Sequence, residues 1–138
     1  MVPALAAGLA LVAGCGAGNL DLAADTSTCV KDAQQVSSYP AGFPEHFPFP
    51  PRTVVYHAED RGQDGVVVTG VTSLPFRQVL AALNGPAQRA GYTVTTGETE
   101  PHDAEANWQG NGYRGRWAIR ESASCAGQTV VQVLSTRS

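Results

Sequence analysis

The sequence predicts an α+β fold, with a single antiparallel sheet, elements in the order ββαββββ, and one kinked helix packed on one face. Three observations predict it. Short runs rich in valine and threonine alternate with turn signals. One stretch repeats apolar residues at helical spacing, and an Asn-Gly pair separates two strand-like segments. The chain has 138 residues, 43% of them hydrophobic, which suits one globular domain.

The first two strands are predicted to form a hairpin. Segment 53–57 is short and β-rich, residues 60–65 are turn-like, and segment 65–72 contains three consecutive valines. Two such runs separated by a turn are typical of paired antiparallel strands.

A helix is predicted next, capped by Ser73 and with Pro75 in its first turn. Its apolar stripe consists of Phe76, Val79, Leu80, Leu83, Ala87 and Ala90. Gly91 suits the position just past the helix end. The Gly85-Pro86 pair predicts a kink or a split, because proline lacks the N–H that a helix interior needs.

Four further strands are predicted at 92–96, 104–109, 113–120 and 127–135. Asn111 and Gly112 would form a type I′ turn between two of them, since both turn positions need a positive φ. That register places Trp108 opposite Gly115 and Trp117 opposite Ala106. Both indoles then lie on one face, each beside a small residue.

The other face of this hairpin carries Arg114, Arg116 and Arg120. In the same register they lie opposite Gln109, Asn107 and Asp103, with Glu105 nearby. The arginines are a candidate face for a phosphate or carboxylate ligand or for a partner. The interpretation we favour is a solvated sheet face with cross-strand charge pairs.

The chain begins with an uncharged apolar run, Val2 to Val12, followed by Ala13, Gly14 and Cys15. It resembles the lipobox of bacterial lipoprotein signal peptides, in which residues 1–14 would be removed and Cys15 lipidated. As a helix the run would rise about 20 Å, too little to span a hydrocarbon core of about 30 Å. The alternative is a buried N-terminal helix of a cytosolic domain.

Positive charge normally precedes such an apolar core, and no Lys or Arg does so here. We therefore expect that Met1 is not the natural start or that the charged region lies upstream.

The cysteines fit export. With Cys15 as the lipid acceptor, Cys29 and Cys125 remain as a pair that can bridge in an oxidising compartment. A bridge closing about 95 residues would stabilise the fold by roughly 4–5 kcal/mol. Two unpaired thiols are the alternative.

The predicted organisation is a signal peptide (1–14), a lipid-anchored flexible spacer or loosely docked arm (15–38), a Pro/aromatic lead-in (39–51) and the α+β domain (52–138). Phe43, Phe47 and Phe49 of the lead-in alternate with prolines. They suit either a ligand for an aromatic-lined groove or, as we favour, a cover over the edge of the domain's own core.

The chain also resembles small actinobacterial lipoproteins over roughly residues 39–136. The resemblance rests on segment 43–51, on Ala90-Gly91-Tyr92, on segment 110–117 and on Cys125-Ala126-Gly127. It implies the ββαββββ domain, whose function is unknown in such proteins, and no catalytic residues. The unbroken helix usual in them would differ from the Gly85-Pro86 break here.

The sequence predicts no catalytic residues, no cofactor and no metal site. His46, His57 and His102 lack ligand spacing with the nearby carboxylates. A net charge of −3 argues against nucleic-acid binding and against adhesion to anionic lipid.

We expect an extracytoplasmic binding or interaction module on the outer face of the cell membrane. A diacylglyceryl anchor would hold it there, and an envelope protein or the wall would be its partner. A small envelope-associated enzyme or accessory hydrolase, and a purely structural envelope lipoprotein, are the alternatives.

Overall fold

The computed structural model describes residues 27–138, which form one six-stranded antiparallel sheet. The strands are β1 (Thr53–Asp60), β2 (Val66–Thr72), β3 (Thr93–Thr99), β4 (Asp103–Gly110), β5 (Tyr113–Glu121) and β6 (Thr129–Arg137). Helices α1 (Phe76–Asn84) and α2 (Pro86–Arg89) follow β2. The predicted element order and the single antiparallel sheet are confirmed.

The last strand lies in the middle of the sheet. The spatial order is β1-β2-β6-β5-β4-β3, so β6 pairs with β2 on one side and with β5 on the other. Val131 thereby faces Gly70 of β2 and Ile119 of β5. The two hairpins that the sequence predicts are joined through this strand.

The helix begins later than predicted, and Ser73 does not cap it. Pro75 occupies the N-cap in an extended conformation without a side-chain cap bond, and the helix starts at Phe76. Helical geometry is disfavoured for the residue before a proline, which here is Leu74. The Leu74 N–H binds the Thr72 hydroxyl oxygen at 3.2 Å, and its carbonyl accepts the Thr129 hydroxyl at 2.8 Å.

The predicted break at Gly85-Pro86 is confirmed. Helix α1 ends at Asn84 and α2 begins at Pro86, with Gly85 between them at φ −112° and ψ −80°. Proline has no N–H, and its ring clashes with the carbonyl four residues earlier, so the α1 ladder cannot continue. Gly91 follows α2 with a φ of 93°, as a helix terminator should.

One set of alternating strand residues forms the main core. We call this side of the sheet the first face. Its buried strand residues include Trp108, Trp117, Ile119, Val131 and Val133. The same hydrophobic cluster contains Phe76, Val79 and Leu83 of α1 and Phe43 and Phe47 of the lead-in. The lead-in phenylalanines are thus part of the protein's own core, which is the interpretation favoured above. The Phe47 ring lies 5.3 Å from that of Trp108.

A disulfide joins Cys29 to Cys125 in the loop between β5 and β6. Beside it, the Val30 N–H donates to Oε1 of Gln128 at 2.9 Å. Farther along, the Val36 N–H donates to the Val55 carbonyl at 2.8 Å. The segment from 29 to 36 is therefore attached to the end and to the β1 edge of the sheet.

Candidate functional site

The β4–β5 hairpin has the register that the sequence predicts. Trp108 pairs with Gly115, Trp117 with Ala106, and Gly110 with Tyr113. Both indoles are 3% exposed and belong to the first-face core. Because side chains alternate along a strand, the three arginines lie on the opposite side, which we call the second face.

The three arginines differ in their partners. Arg116 forms an ion pair with Glu105, and Arg120 forms one with Asp103 at 3.5 Å. Arg114 pairs with Gln109 in the strand register, and within residues 27–138 no acidic side chain lies within ion-pair distance of it. The interpretation as a solvated face with charge pairs therefore holds for Arg116 and Arg120. The guanidinium of Arg114 has no acidic partner among residues 27–138.

An open groove of about 480 Å³ lies beside Arg114 on the second face. Its polar lining residues are Arg114, Arg116, Asn107, Gln109, Gln63, Thr95, Thr136 and Asp64. Two guanidinium groups, three amides and two hydroxyls supply many donors at one place, and the Asp64 carboxylate is the one acidic group in this lining. A guanidinium presents its N–H groups as a planar fork that matches a carboxylate or phosphate. The groove is suited to an anionic group of modest size.

The central part of the second face is apolar. Val67, Val71, Val130, Leu134 and Ala118 occupy adjacent positions on β2, β6 and β5, with Thr69 and Gln132 among them. We call these seven residues the second-face strip. All are buried, and Val71 and Val130 are fully so.

Gln132 introduces an unpaired polar group into this strip. Its Nε2 donates to the Thr69 hydroxyl oxygen at 3.2 Å, whereas its buried Oε1 has no hydrogen-bond partner in the described part of the chain. A buried acceptor without a hydrogen-bond donor destabilises the folded state, which makes this position unusual in a sheet.

A second cleft, also of about 480 Å³, lies where the lead-in meets the ends of β5 and β6. Tyr39, Tyr113 and Arg137 line it, with the Arg137 guanidinium 5.8 Å from the centre of the Tyr113 ring. Burial raises the pKa of Tyr39 above its ordinary value of 10.0. The sequence alone does not predict this cleft, because its residues are far apart in the chain and no local pattern relates them.

The histidines considered as metal ligands do not converge. His102 lies 2.8 Å from the Glu121 carboxylate through Nδ1, and across residues 27–138 no group of three or more His, Cys, Asp or Glu side chains has the geometry to hold a metal ion. None of the helices between Ser27 and Ser138 has the length and apolar character needed to cross a membrane. Cys15 and the predicted signal peptide lie outside the described residues.

The chain matches no known family model, no curated protein and no solved structure.

Proposed function

We propose that this protein is a lipid-anchored extracytoplasmic interaction module whose Arg114 groove binds an anionic group of an envelope or wall partner. One observation carries the binding proposal: an arginine without an acidic partner within residues 27–138 lies in a groove rich in hydrogen-bond donors. A guanidinium that is not already neutralised can exchange water for a carboxylate or phosphate at little internal cost. Arg116 and Arg120 would instead keep the surrounding hairpin in place through their own ion pairs.

The anchoring part of the proposal rests on the lipobox-like segment ending at Cys15 and on the Cys29–Cys125 bridge. Disulfides persist in oxidising compartments outside the cytosol, and the bridge is consistent with export. In this arrangement α1 and α2 cover the first face of the sheet. The shared burial of Phe76, Val79 and Leu83 with the strand residues supports that packing. The second face then presents the groove.

Anchoring is tested by intact-mass analysis of a membrane fraction from cells making the wild type or Cys15→Ser. We expect the wild-type chain to begin at Cys15 and to carry an added lipid mass, and we expect Cys15→Ser to lose both. A wild-type chain that is soluble, unacylated and still begins at Met1 would refute the anchor.

Binding is tested by crosslinking and pull-down from intact cells with Arg114→Gln. Loss of a charge-assisted hydrogen bond should reduce recovery of a specific partner about tenfold. Arg77→Gln is the matched control, because Arg77 is an exposed arginine on α1, outside the groove. If Arg114→Gln and Arg77→Gln recover the same partners at the same level, the groove is not the binding site.

A further inference from the structure

Two hollows on the second face are continuous with each other. The Arg114 groove adjoins a smaller hollow of about 220 Å³, and both are lined by Asn107 and Arg116. The other residues of the smaller hollow come from β3 and β4, namely Thr96, Gly97, Glu98, Glu105 and Ala106. We call the two hollows together the second-face trough. It crosses the sheet obliquely, from Arg114 on β5 to Glu98 on the edge strand β3.

The trough carries charges of opposite sign at its two ends. Arg114 lies opposite Gln109 at one end. Glu98 lies opposite Glu105 at the other end, and two carboxylates directly across a strand pair repel each other. Within residues 27–138 neither Arg114 nor Glu98 has a side chain of opposite charge at ion-pair distance, and Arg116 pairs only with Glu105. The Glu98 end therefore suits a cation, and the Arg114 end suits an anion.

The middle of the trough offers hydrogen-bond partners for a peptide backbone. The register of β3 shifts between Val94 and Thr96, so Thr95 is a bulge residue. Side chains of a regular strand alternate between the faces, but the bulge lets Thr95 line the Arg114 groove while Thr96 lines the adjoining hollow. Asn107 donates to the Thr96 hydroxyl oxygen at 2.9 Å, which leaves its Oδ1 to accept from a ligand.

We infer that the trough binds a short zwitterionic peptide, with its carboxylate at Arg114 and its ammonium at Glu98. The inference rests on the proposed function, since the carboxylate makes the Arg114 contact proposed above. The peptide groups between the two ends bond to the hydroxyl and amide side chains of the trough. Asp64, which borders the Arg114 end, can accept the N–H next to the peptide's carboxylate.

The distance between the two ends determines the length of the peptide. The β4 partners of Arg114 and Glu98 are Gln109 and Glu105, four residues apart. Four residues are about 14 Å along the strand, and the two strand spacings from β5 to β3 add about 10 Å across it. The two Cα atoms are thus roughly 17 Å apart, and their long side chains can shorten that gap. Three or four extended residues span about 10–14 Å, whereas the two charges of a single amino acid are separated only by its own Cα.

Peptides with and without their terminal charges test the inference on the isotopically labelled full chain. The probes are unblocked tetra-alanine, its N-acetyl form, its C-terminal amide and unblocked dialanine, each titrated at low salt and followed by NMR chemical shifts. Low salt is used because exposed charge pairs are screened by ions. We expect unblocked tetra-alanine to bind about fivefold more tightly than either blocked form or dialanine, because only it makes both charge-assisted contacts at once.

Variants of the trough identify which end recognises which charge. In Glu98→Gln we expect N-acetylation of the peptide to lose its effect while amidation keeps it, and in Arg114→Gln we expect the reverse. Glu100→Gln is the matched control, because Glu100 is an exposed carboxylate just beyond β3 and outside the trough. This control should keep the full preference of the wild type.

The possible failures separate the inference from the proposed function. If tetra-alanine binds no better than its blocked forms, or if dialanine binds equally well, the inference is overturned. A preference for the free carboxylate that depends on Arg114, without any effect of N-acetylation or of Glu98→Gln, would overturn the zwitterionic ligand and leave the Arg114 groove as an anion site. An effect of Glu98→Gln with none of Arg114→Gln would refute both the inference and the proposed function.

Discussion

At the scale of single residues, Gly115 lies at a point where β4, β5 and β6 approach one another closely. It lies on β5 between Trp108 on β4 and Ser135 on β6. A Cβ at this position would overlap the Leu134 carbonyl oxygen and lie 3.0 Å from Cζ2 of Trp108. The glycine is therefore required by close approach and not by an unusual φ.

We predict that Gly115→Ala lowers the free energy of unfolding by about 3 kcal/mol or more, because neither a ladder carbonyl nor a buried indole can move away cheaply. Gly62→Ala is the control. A Cβ at Gly62 meets nothing within 4 Å, so only its φ of 62° is penalised, at about 1 kcal/mol. Urea unfolding measures both. Equal losses in the two variants would show that the overlap at Gly115 is relieved by relaxation.

At the scale of elements, the β4–β5 turn does more than reverse the chain. Asn111 and Gly112 have φ values of 52° and 86°, as a type I′ turn requires. The Asn111 amide also donates to the Ala90 carbonyl at 3.0 Å, at the end of α2. One side chain thus connects the hairpin tip to the end of the helix.

Two substitutions at Asn111 should separate these roles. Asp tolerates a positive φ but cannot donate to Ala90, whereas Ala loses both properties. We predict that Asn111→Asp costs about 1 kcal/mol and Asn111→Ala about 2 kcal/mol, measured by urea unfolding. Stability equal to the wild type in Asn111→Asp would mean that the contact with Ala90 contributes nothing.

Local chemistry explains which elements the sequence predicts correctly. The hairpin register follows from two adjacent turn residues, and the break in the helix follows from Gly85-Pro86 alone. The insertion of β6 between β2 and β5 follows from long-range pairings such as that of Val66 with Ser135, which no local pattern encodes. Ser73 is a good cap by type, but the Pro75 ring and the hydrogen bond from Thr129 to the Leu74 carbonyl override it.

The candidate site is likewise predicted from the sequence only in part. The alternation of the hairpin places the arginines on one face, and this can be predicted from sequence. That Arg114 alone of the three lacks an acidic partner within residues 27–138 cannot be predicted, because it depends on which side chains reach across strands. The second-face strip was missed because its valines resemble core residues of either face.

At the scale of the whole molecule, the Cys29–Cys125 bridge connects the segment before the lead-in to the loop between the two central strands β5 and β6. It closes a separation of 96 residues, so it restricts nearly the entire described chain in the unfolded state. Its local hydrogen bond from Val30 to Gln128 is a much smaller contribution.

We predict that Cys29→Ala/Cys125→Ala lowers the free energy of unfolding by about 2–5 kcal/mol, since long loops give the largest loss of chain entropy when bridged. Urea unfolding of the variant and of the oxidised wild type measures the difference. Gln128→Ala is the control, because it removes the Val30 hydrogen bond and leaves the bridge in place. An equal loss in Gln128→Ala and in the double variant would show that the loop contact stabilises the fold. The bridge itself would then contribute little to the stability of the fold.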